Sequence, residues 1–315
     1  MPRLSCGAGG AAFRAVTMDA MAQEAEEGAA SARRARRRRR RRRILRALLL
    51  AGLLLTLWMY AEARRMPVLR ETAIDLPGYP ADAPPLRAVL LTDTHMGGPD
   101  QSPARLDRIV DAVNALKPDL VLLGGDYKGE AKLPGFSYPR EAGAAPLGRL
   151  RARYGIVAVL GNHDHWDDAA AWTRLLEGEG ITVLRNAAVR AGPVTIGGID
   201  DAYTEHADLP ATLAAAQALG GPIVLLSHGA LPFKRAQGPL PPFLAGHTHC
   251  GQIALPFLGP LYLPYKHPIR YACGRYDEPG RTILVSAGVG TSNLPLRLNA
   301  PPDYWLITFR APPQH

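Results

Sequence analysis

The chain has 315 residues, of which 37 are basic and 28 acidic, and its formal net charge is +9. Residues 1–46 carry this whole excess, with 13 arginines against 4 acidic residues. The remaining 24 basic and 24 acidic residues cancel, so no nucleic-acid partner is expected for the rest of the chain. Three cysteines do not make a disulfide framework, although Cys250 and Cys273 could pair in an exported protein.

The N-terminal region begins with a segment of low complexity. Residues 1–32 are rich in Ala, Gly and Glu and show no sustained periodicity, and residues 36–43 are eight consecutive arginines. A segment with few apolar residues and a high net charge cannot bury enough surface to fold. We therefore expect residues 1–46 to be a disordered, arginine-rich tail.

An apolar run follows the arginines. Residues 47–61 carry no charge until the acidic Glu62, and they include Trp58 and Tyr60 near their end, where interfacial aromatic residues are found in membrane proteins. We interpret residues 47–63 as a membrane anchor or signal segment, with membrane contact over residues 44–61. Fifteen apolar residues are few for a spanning helix, so an uncleaved anchor, a cleaved signal and an interfacial helix all stay open.

Beyond this segment, residues 64–85 are expected to be a linker, residues 86–310 a single catalytic domain, and residues 311–315 a short tail. The domain opens with a predicted strand at residues 86–93. A helix is predicted to begin after Ser102, with Pro103 in its first turn. It should end before Pro118, and a strand at residues 119–125 then completes a βαβ unit with a parallel pair of strands.

Later elements are predicted from apolar runs and from the Gly and Pro residues that separate them. Helices are predicted at residues 142–153 and 168–179, and strands at residues 156–160, 181–184, 194–199, 223–227, 243–245, 252–255, 282–286 and 305–309. Two segments rich in Pro, Gly and aromatic residues, 127–141 and 256–273, are predicted to be long loops at the rim of a site.

Oxygen and imidazole donors follow five of the apolar runs. They are, in chain order, Asp93-Thr-His95, Gly-Gly-Asp126, Gly-Asn162-His163-Asp164, Ser-His228 and Gly-His247-Thr-His249. The ends of buried strands are the usual place for a site in an open α/β sheet. Asp93 and His95 are two apart on a predicted strand, so their side chains should leave the same face and share an ion. Mixed oxygen and nitrogen donors favour Mn, Fe or Zn.

These motifs, in this order, resemble the calcineurin-like metallophosphoesterase superfamily. Residues 246–264 and 285–302 resemble its YkuE/YaeI-type branch of membrane-associated bacterial phosphoesterases, although Cys250 stands where that branch usually has Gly. The resemblance covers residues 86–310. It implies a four-layer α/β/β/α sandwich, preceded here by the N-terminal membrane segment.

The resemblance also implies two divalent metal ions. The ligands of one ion would be Asp93, His95, Asp126 and His249. The ligands of the other would be Asp126, Asn162, His228 and His247. In that family His163 would donate a proton to the leaving group, Asp164 would orient His163, and the nucleophile would be a metal-bound hydroxide.

The expected function is therefore a binuclear-metal phosphodiesterase that acts at or near a membrane on a phosphoester, either soluble or lipid-linked. One alternative is hydrolysis of the pyrophosphate of UDP-2,3-diacylglucosamine in lipid A biosynthesis, which some members of this branch perform. A remote alternative is a metal-binding scaffold without activity. Complete retention of the ligand motifs together with His163 argues against that last alternative.

Charge around the apolar run predicts its orientation. Eleven arginines of residues 33–46 precede it, and the positive-inside rule keeps them in the cytoplasm. We therefore expect a bacterial inner-membrane protein whose catalytic domain is periplasmic. Residues 41–46 also fit the twin-arginine export pattern, although an arginine run matches that pattern in many registers. An outward domain could not reach UDP-2,3-diacylglucosamine, which is made and used at the cytoplasmic leaflet.

Overall fold

The structure is a computed structural model that describes residues 9–130, 135–264 and 269–313, and for residues 9–20, 22 and 269 the helical backbone alone. The helices are α1 Gly9–Arg64, α2 Pro103–Ala115, α3 Glu141–Leu147, α4 Asn162–Gly178, α5 Leu209–Leu219 and α6 Leu231–Arg235. Short 3₁₀ turns lie at His249–Gly251 and Ile269–Tyr271.

The strands are short, as is usual for a sandwich. They are β1 Val68–Asp75, β2 Leu86–Leu91, β3 Leu120–Leu123, β4 Ile156–Ala158, β5 Thr182–Val183, β6 Ala187–Ala191, β7 Val194–Ile199, β8 Ile223–Ser227, β9 Phe243–Ala245, β10 Ala254–Leu255, β11 Gly259–Pro260, β12 Gly274–Glu278, β13 Arg281–Val285 and β14 Asp303–Arg310. The chain divides into two compact units, Met1–Leu57 and Trp58–His315.

The described residues of the first unit belong to one helix. Helix α1 runs through the arginine tract and the apolar run without a break, so the expectation of a disordered tail is wrong for residues 9–46, while residues 1–8 lie outside the described residues. Ala and Arg are good helix formers, and no proline interrupts this stretch. Side chains of residues 23–57 are exposed. Within α1, Gln23–Arg64 is long and apolar enough to cross a membrane.

The predicted linker is part of the folded domain. Strand β1 pairs in parallel with β14 at the edge of a sheet, and Arg70 on β1 donates to Asp303 on β14 at 2.7 Å. The expected domain boundary at residue 86 is therefore wrong, because the second unit already begins at Trp58. Periodicity in β1 is weak, and its partner lies at the other end of the chain, which sequence patterns cannot reveal.

Two six-stranded sheets form the second unit. Their strand orders are β1-β14-β2-β3-β4-β5 and β12-β13-β9-β8-β7-β6. The central strands of each sheet run parallel, from β2 to β5 in the first and from β13 through β9 and β8 to β7 in the second. Strands β10 and β11 form a separate two-stranded hairpin.

Three apolar clusters show how the layers stack. One cluster joins Ala88 and Leu122 of the first sheet to Ile196 and Leu226 of the second, so the sheets pack face to face. A second cluster covers the other face of the first sheet with α2, α3 and α4, and a third places α5 and α6 on the second sheet. The four-layer α/β/β/α sandwich is confirmed.

Local signals predicted the centre of the domain well. Ser102 caps α2 by accepting from the Arg105 N–H at 3.3 Å, with Pro103 in the first turn as expected. Strands β2 and β3 pair in parallel on either side of this helix. Because the carboxyl ends of parallel strands meet at one edge of a sheet, the loops after β2, β3 and β4 converge there.

Candidate metal centre

The structure brings all the predicted ligands together at the facing edges of the two sheets. Asp93 and His95 follow β2, Asp126 follows β3, and Asn162 begins α4 directly after β4. His228 follows β8, and His247 and His249 follow β9. All seven side chains are buried. Buried charged and polar groups of this density require partners or ions, since burial without them is costly.

The backbone that carries these ligands is left-handed rather than extended. Strand β2 ends at Leu91, and Asp93 and His95 have φ values of 54° and 40°. The expectation that the two side chains leave one face of a strand is therefore wrong, although both reach the same place. Asp126, His247 and His249 are also left-handed. Non-glycine residues in this region are uncommon and cluster at functional sites.

Asp93, His95 and His249 form the first group of donors. His95 Nε2 lies 3.0 Å from His249 Nε2, and Asp93 Oδ1 lies 3.9 Å from the former and 3.6 Å from the latter. The other carboxylate oxygen of Asp93 accepts from the Thr92 hydroxyl at 2.7 Å. That bond turns Oδ1 towards the two imidazoles.

Asp126, His228 and His247 form the second group. His228 Nε2 lies 2.9 Å from His247 Nδ1 and 3.1 Å from Asn162 Oδ1. Asp126 Oδ2 lies 3.2 Å from His228 Nε2 and also 3.4 Å from His95 Nε2 of the first group. One oxygen of Asp126 therefore lies between the two groups.

Hydrogen bonds to carbonyl oxygens orient two of the imidazoles. Nδ1 of His95 lies 3.1 Å from the Lys128 carbonyl oxygen, and Nδ1 of His228 lies 2.9 Å from that of Gly124. A carbonyl can only accept, so each Nδ1 carries the proton. Each Nε2 is then left with the lone pair that a metal ion requires.

The donor spacing suits a transition metal ion or Zn²⁺. Ligand atoms at ~2.1 Å from an ion in tetrahedral or octahedral geometry lie ~3.0–3.4 Å from one another. Most nearest separations measured within the two groups, from 2.9 to 3.6 Å, fall in or near this range. Imidazole and carboxylate donors without thiolate favour Mn, Fe or Zn. The residues present therefore fit divalent ions.

The protein groups alone shift the pKa values of the donors in both directions: burial lowers the pKa of His228, but the neighbouring Asp126 carboxylate outweighs burial and raises it well above its usual value. Burial raises the pKa of the Asp126 carboxyl, but the neighbouring imidazoles of His228 and His163 outweigh burial and hold its pKa well below the usual range. Burial raises the pKa of Asp93 to about 6, and His228 opposes this shift. Burial and the neighbouring His95 lower the pKa of His249 well below its usual value, which keeps that imidazole neutral as a metal ligand must be.

His163 lies at the edge of this cluster and faces the open pocket. Its backbone N–H donates to Asp126 Oδ1 at 2.9 Å, and its ring lies 4.8 Å from the His95 ring, edge to face. Trp166 contacts the other side, with ring centroids 5.0 Å apart. The imidazole therefore borders the same cavity, and with His95 and Asp126 it makes a third group of possible metal donors.

Asp164 has a different role from the one expected. Its two carboxylate oxygens accept from the backbone N–H groups of Gly161, Asp126, Tyr127 and Lys128, at 2.8 to 3.0 Å. The expectation that Asp164 orients the His163 imidazole is therefore wrong. Its carboxylate instead ties the loop after β3 to the start of α4, which positions Asp126 relative to Asn162.

Glycines make the close packing of carboxylates possible. A Cβ on Gly161 would collide with Asp126 Oδ1, and a Cβ on Gly246 would collide with Asp93 Oδ2. Gly288, at φ 68°, would place a Cβ 2.5 Å from Asp93 Cβ. The glycines of the G-N-H-D and G-H-T-H motifs are thus required by space around the ligands.

A cavity of about 420 Å³ opens over the donor groups. Sequence patterns had missed several of its lining residues, among them Trp166, Tyr203 and Leu294. Tyr203 lies with its ring 5.0 Å from the His247 ring. The predicted rim loops contribute Glu130, Leu261 and Tyr262, while residues 131–134 and 265–268 of those loops lie outside the described residues.

Arg297 is a second feature that local patterns did not reveal. Its guanidinium is fully buried, and burial lowers its pKa to about 10, so it remains charged at neutral pH. It donates to the carbonyl oxygens of Ala287, Gly290 and Ala300 at 2.6 to 2.8 Å. Arg297 therefore ties together the loops that surround Asp93 and His249.

The open question of the cysteines is answered by the structure. Cys250 and Cys273 form a disulfide, with their Cα atoms 4.8 Å apart. Cys250 directly follows the donor His249 and has a φ of 53°, which explains why glycine would also suit this position. The disulfide joins the loop of the donor groups to the far end of the rim segment.

A mixed α/β sandwich with buried Asp and His groups at its strand ends defines a metal-dependent phosphoester hydrolase. Residues 86–251, more than half of the chain, match the calcineurin-like phosphoesterase family. The chain belongs to this family, as the sequence motifs had indicated.

Relatives include membrane proteins. The "Transmembrane protein with metallophosphoesterase domain" of Danio rerio is 32% identical over 263 residues, which cover 78% of this chain and 57% of that protein. The "Uncharacterized metallophosphoesterase YkuE" of Bacillus subtilis (strain 168) is 30% identical over 213 residues, covering 65% and 73%. The chain thus spans little more than half the length of the Danio rerio relative.

Among solved structures, the 5'-nucleotidase precursor from Thermus thermophilus is similar, with 19% identity and a TM-score of 0.45. The likeness covers 71% of this chain and 55% of that one. At this score it has no bearing on substrate.

Proposed function

We propose that the protein is a binuclear-metal phosphodiesterase that acts at a membrane surface. One observation carries the proposal: Asp126 Oδ2 lies 3.4 Å from His95 Nε2 and 3.2 Å from His228 Nε2, between two separate donor groups. A carboxylate in that position can bridge two ions, as in two-metal hydrolases.

The proposed ligands are those that the motifs indicated. One ion would be held by Asp93, His95, Asp126 and His249. The other would be held by Asp126, Asn162, His228 and His247. When bound, two divalent ions would offset phosphate charge and lower the pKa of a coordinated water towards ~7.

The protein's own residues then place the substrate and move a proton. His163 borders the cavity and, with His95 and Asp126, makes a third group of possible metal donors. We assign its imidazole to protonation of the leaving oxygen rather than to a metal ion. Trp166 and Tyr203 line the cavity and offer aromatic faces to the group attached to that oxygen. A cavity of about 420 Å³ accommodates a substituent on either side of a phosphodiester.

Membrane attachment is supported by the way α1 ends. Met59 and Ala63 are buried in the second unit, and the Arg105 side chain donates to the carbonyl oxygen of Ala63 at 3.4 Å. Cleavage after Ala63 would cut inside this packed region. We therefore favour an uncleaved anchor in the inner membrane over a cleaved signal, with the catalytic domain on the periplasmic side.

The substrate class is tested with purified full-length protein loaded with Mn, Fe or Zn. The panel would contain p-nitrophenyl phosphate, bis(p-nitrophenyl) phosphate, phospholipids and UDP-2,3-diacylglucosamine. We expect faster cleavage of the diester than of the monoester, with two ions per chain by elemental analysis. Full activity with one ion would overturn the binuclear assignment, and exclusive cleavage of the nucleotide-sugar pyrophosphate would replace the phosphodiesterase proposal.

Orientation is tested by fusions at the C-terminus, which is accessible because Pro312 and Pro313 are exposed. An alkaline phosphatase fusion should be active if the catalytic domain is periplasmic, and a green fluorescent protein fusion should be dark after export through the Sec route. If the green fluorescent protein fusion is exported and fluorescent, export uses the twin-arginine route, which would support the twin-arginine pattern of residues 41–46. An inactive phosphatase fusion together with a fluorescent Sec-route fusion would place the domain in the cytoplasm and favour the lipid A alternative.

A further inference from the structure

The hairpin beside the cavity exposes its largest apolar side chains. At the tip of β10–β11, between Leu255 and Gly259, the relative exposure of Phe257 is 108% and that of Leu258 is 77%. Leu261, which follows β11, and Leu294 are also exposed, and both line the mouth of the cavity. Several large apolar side chains exposed on and next to one hairpin, beside a polar site, indicate an interaction surface.

The tip also holds a large residue in a conformation that suits glycine. Phe257 has a φ of 66°, and bulky residues pay an energetic cost in this region. Its full exposure means that packing within the protein does not offset the cost. The Phe257 side chain would become buried only by contact with something other than the folded domain itself.

The hairpin is hydrogen-bonded to the segment that holds the end of α1. The Arg297 N–H donates to the Met59 carbonyl oxygen at 3.0 Å. The next residue, Leu298, donates to the Gln252 carbonyl at 2.8 Å and accepts from the Ala254 N–H at 2.9 Å. Ala254 is the first residue of β10. The end of α1 and the hairpin therefore belong to one connected block.

The end of α1 is itself fixed by a buried cation. Arg105 donates to the carbonyl oxygens of Ala63, Arg64 and Arg65 at 2.8 to 3.4 Å. The last carbonyls of a helix lack partners within the helix and carry the negative end of its dipole. A guanidinium at this position satisfies both requirements, so residues 63–65 are bonded into the second unit.

The chain indicates what covers the apolar patch. The apolar run of the helix that is long enough to cross a membrane ends at Ala61, just beyond Met59. Trp58 is half exposed and Tyr60 is partly buried, and aromatic residues of this kind mark the level of the membrane interface. The block that holds Met59 therefore lies at the bilayer surface, and the hairpin belongs to the same block.

We propose that the tip of the β10–β11 hairpin inserts into the bilayer that anchors α1, so that the cavity takes a phosphodiester whose apolar chain stays in the lipid. The second half of this statement rests on the proposed phosphodiesterase activity. The first half does not, because it concerns the position of the hairpin alone.

Insertion is tested by labelling position 258 in full-length protein reconstituted into phosphatidylethanolamine–phosphatidylglycerol vesicles. Leu258→Cys would carry bimane in a Cys6→Ser background, which removes the cysteine outside the Cys250–Cys273 disulfide. We expect doxyl-labelled lipids to quench this probe. The matched control is Leu219→Cys at the end of α5, where the native leucine is 48% exposed and the label should not be quenched. Equal quenching at the two positions, or none at 258, would overturn insertion.

The substrate class is tested with two esters that share a leaving group, p-nitrophenyl hexadecyl phosphate in the vesicles and p-nitrophenyl ethyl phosphate in solution. The Phe257→Ser/Leu258→Ser variant should lower kcat/KM for the hexadecyl ester at least tenfold and change that for the ethyl ester less than twofold. Leu219→Ser should change neither. Equal losses for both esters, or none for either, would overturn the lipid-substrate inference.

Failure of the proposed function gives a different result from failure of this inference. If wild-type protein cleaves neither ester, the phosphodiesterase proposal fails and the lipid-substrate inference fails with it. The bimane measurement still decides whether the hairpin inserts. If wild-type protein cleaves both esters and bimane at 258 stays unquenched, the activity stands and the insertion is wrong.

Discussion

The floor and the rim of the site depart from ordinary protein surfaces in opposite directions. On the floor, the seven donor side chains from Asp93 to His249 are buried, although Asp, Asn and His usually lie at or near the surface. On the rim, Phe257, Leu258 and Leu261 are exposed, although such residues usually lie in the core. Leu261 and four of the donors, Asp126, Asn162, His247 and His249, line one cavity, and Phe257 and Leu258 lie on the hairpin just before Leu261.

The two regions also differ in how they are held. The floor is held by many hydrogen bonds. For example, the Asp164 carboxylate accepts from four backbone N–H groups. The rim hairpin is tied at its base through Gln252 and Leu298, while its tip makes no packing contact that hides Phe257. The donor residues on the floor would act on the phosphate group that all phosphoesters share. The rim would contact the substituent, which differs from one substrate to another. Changes to the floor should therefore affect all substrates.

The largest effect is expected at the oxygen shared by the two donor groups. Asp126→Asn should weaken binding of both ions and abolish hydrolysis of every ester, because the amide cannot supply the bridging negative charge. Elemental analysis and turnover would be measured together. Asp111→Asn, an exposed carboxylate on α2, is the matched control and should change neither. Two bound ions with full activity in Asp126→Asn would contradict the assignment of Asp126 as the bridge.

His163→Ala should separate proton donation from metal binding. We expect unchanged metal content and a loss of rate of about 10²–10⁴ for alkyl esters, with a smaller loss for nitrophenyl esters, whose leaving group needs no proton. His206→Ala, which alters a histidine outside the donor groups, should retain the rate. Equal losses for alkyl and nitrophenyl esters would argue against proton donation.

Gly161→Ala tests whether close packing on the floor positions Asp126. The added Cβ would collide with Asp126 Oδ1, and displacement of a ligand's support typically costs about 10–100-fold in metal affinity or activity. Gly178→Ala is the control on the same helix, because a Cβ there meets nothing within 4 Å. Metal titration and kcat/KM for a soluble diester are the measurements. If Gly161→Ala binds metal with wild-type affinity, the packing of Gly161 against Asp126 does not position that ligand.

The smallest effect on activity is expected for the disulfide that joins floor to rim. Cys250→Ser/Cys273→Ser removes the disulfide, which joins two cysteines 23 residues apart in the chain. Chain entropy alone predicts a loss of about 3 kcal/mol in the free energy of unfolding. Metal content should stay the same, since neither cysteine belongs to a donor group. Thermal unfolding of this variant is compared with Cys6→Ser. An unchanged melting temperature, or loss of metal, would contradict this account.

Much of the architecture could be predicted because its signals are local. Helix α2 begins at Pro103 with its Ser102 cap, and β7 and β8 have the predicted bounds. Elements that depend on distant partners were missed or misplaced, among them β1, which pairs with β14. Strand β12 was also missed, because its polar residues give no strand pattern and its formation depends on pairing with β13.

The sequence by itself determined which residue types follow the buried strands, and it thereby determined the family, the sandwich and the set of candidate ligands. It also determined an apolar run next to an arginine tract. These are properties of neighbouring residues, and short-range sterics and hydrophobicity act on them directly.

Tertiary structure decided where the side chains point. Asp93 and His95 converge through left-handed turns rather than along a strand, and Asp164 reaches the backbone of a loop that is 36 to 38 residues away in the chain instead of His163. The pairing of Cys250 with Cys273, and the link from the rim hairpin through Leu298 and Arg297 to Met59, were likewise settled only on folding. Each depends on contacts between segments far apart in sequence, and local propensity contains no information about such contacts.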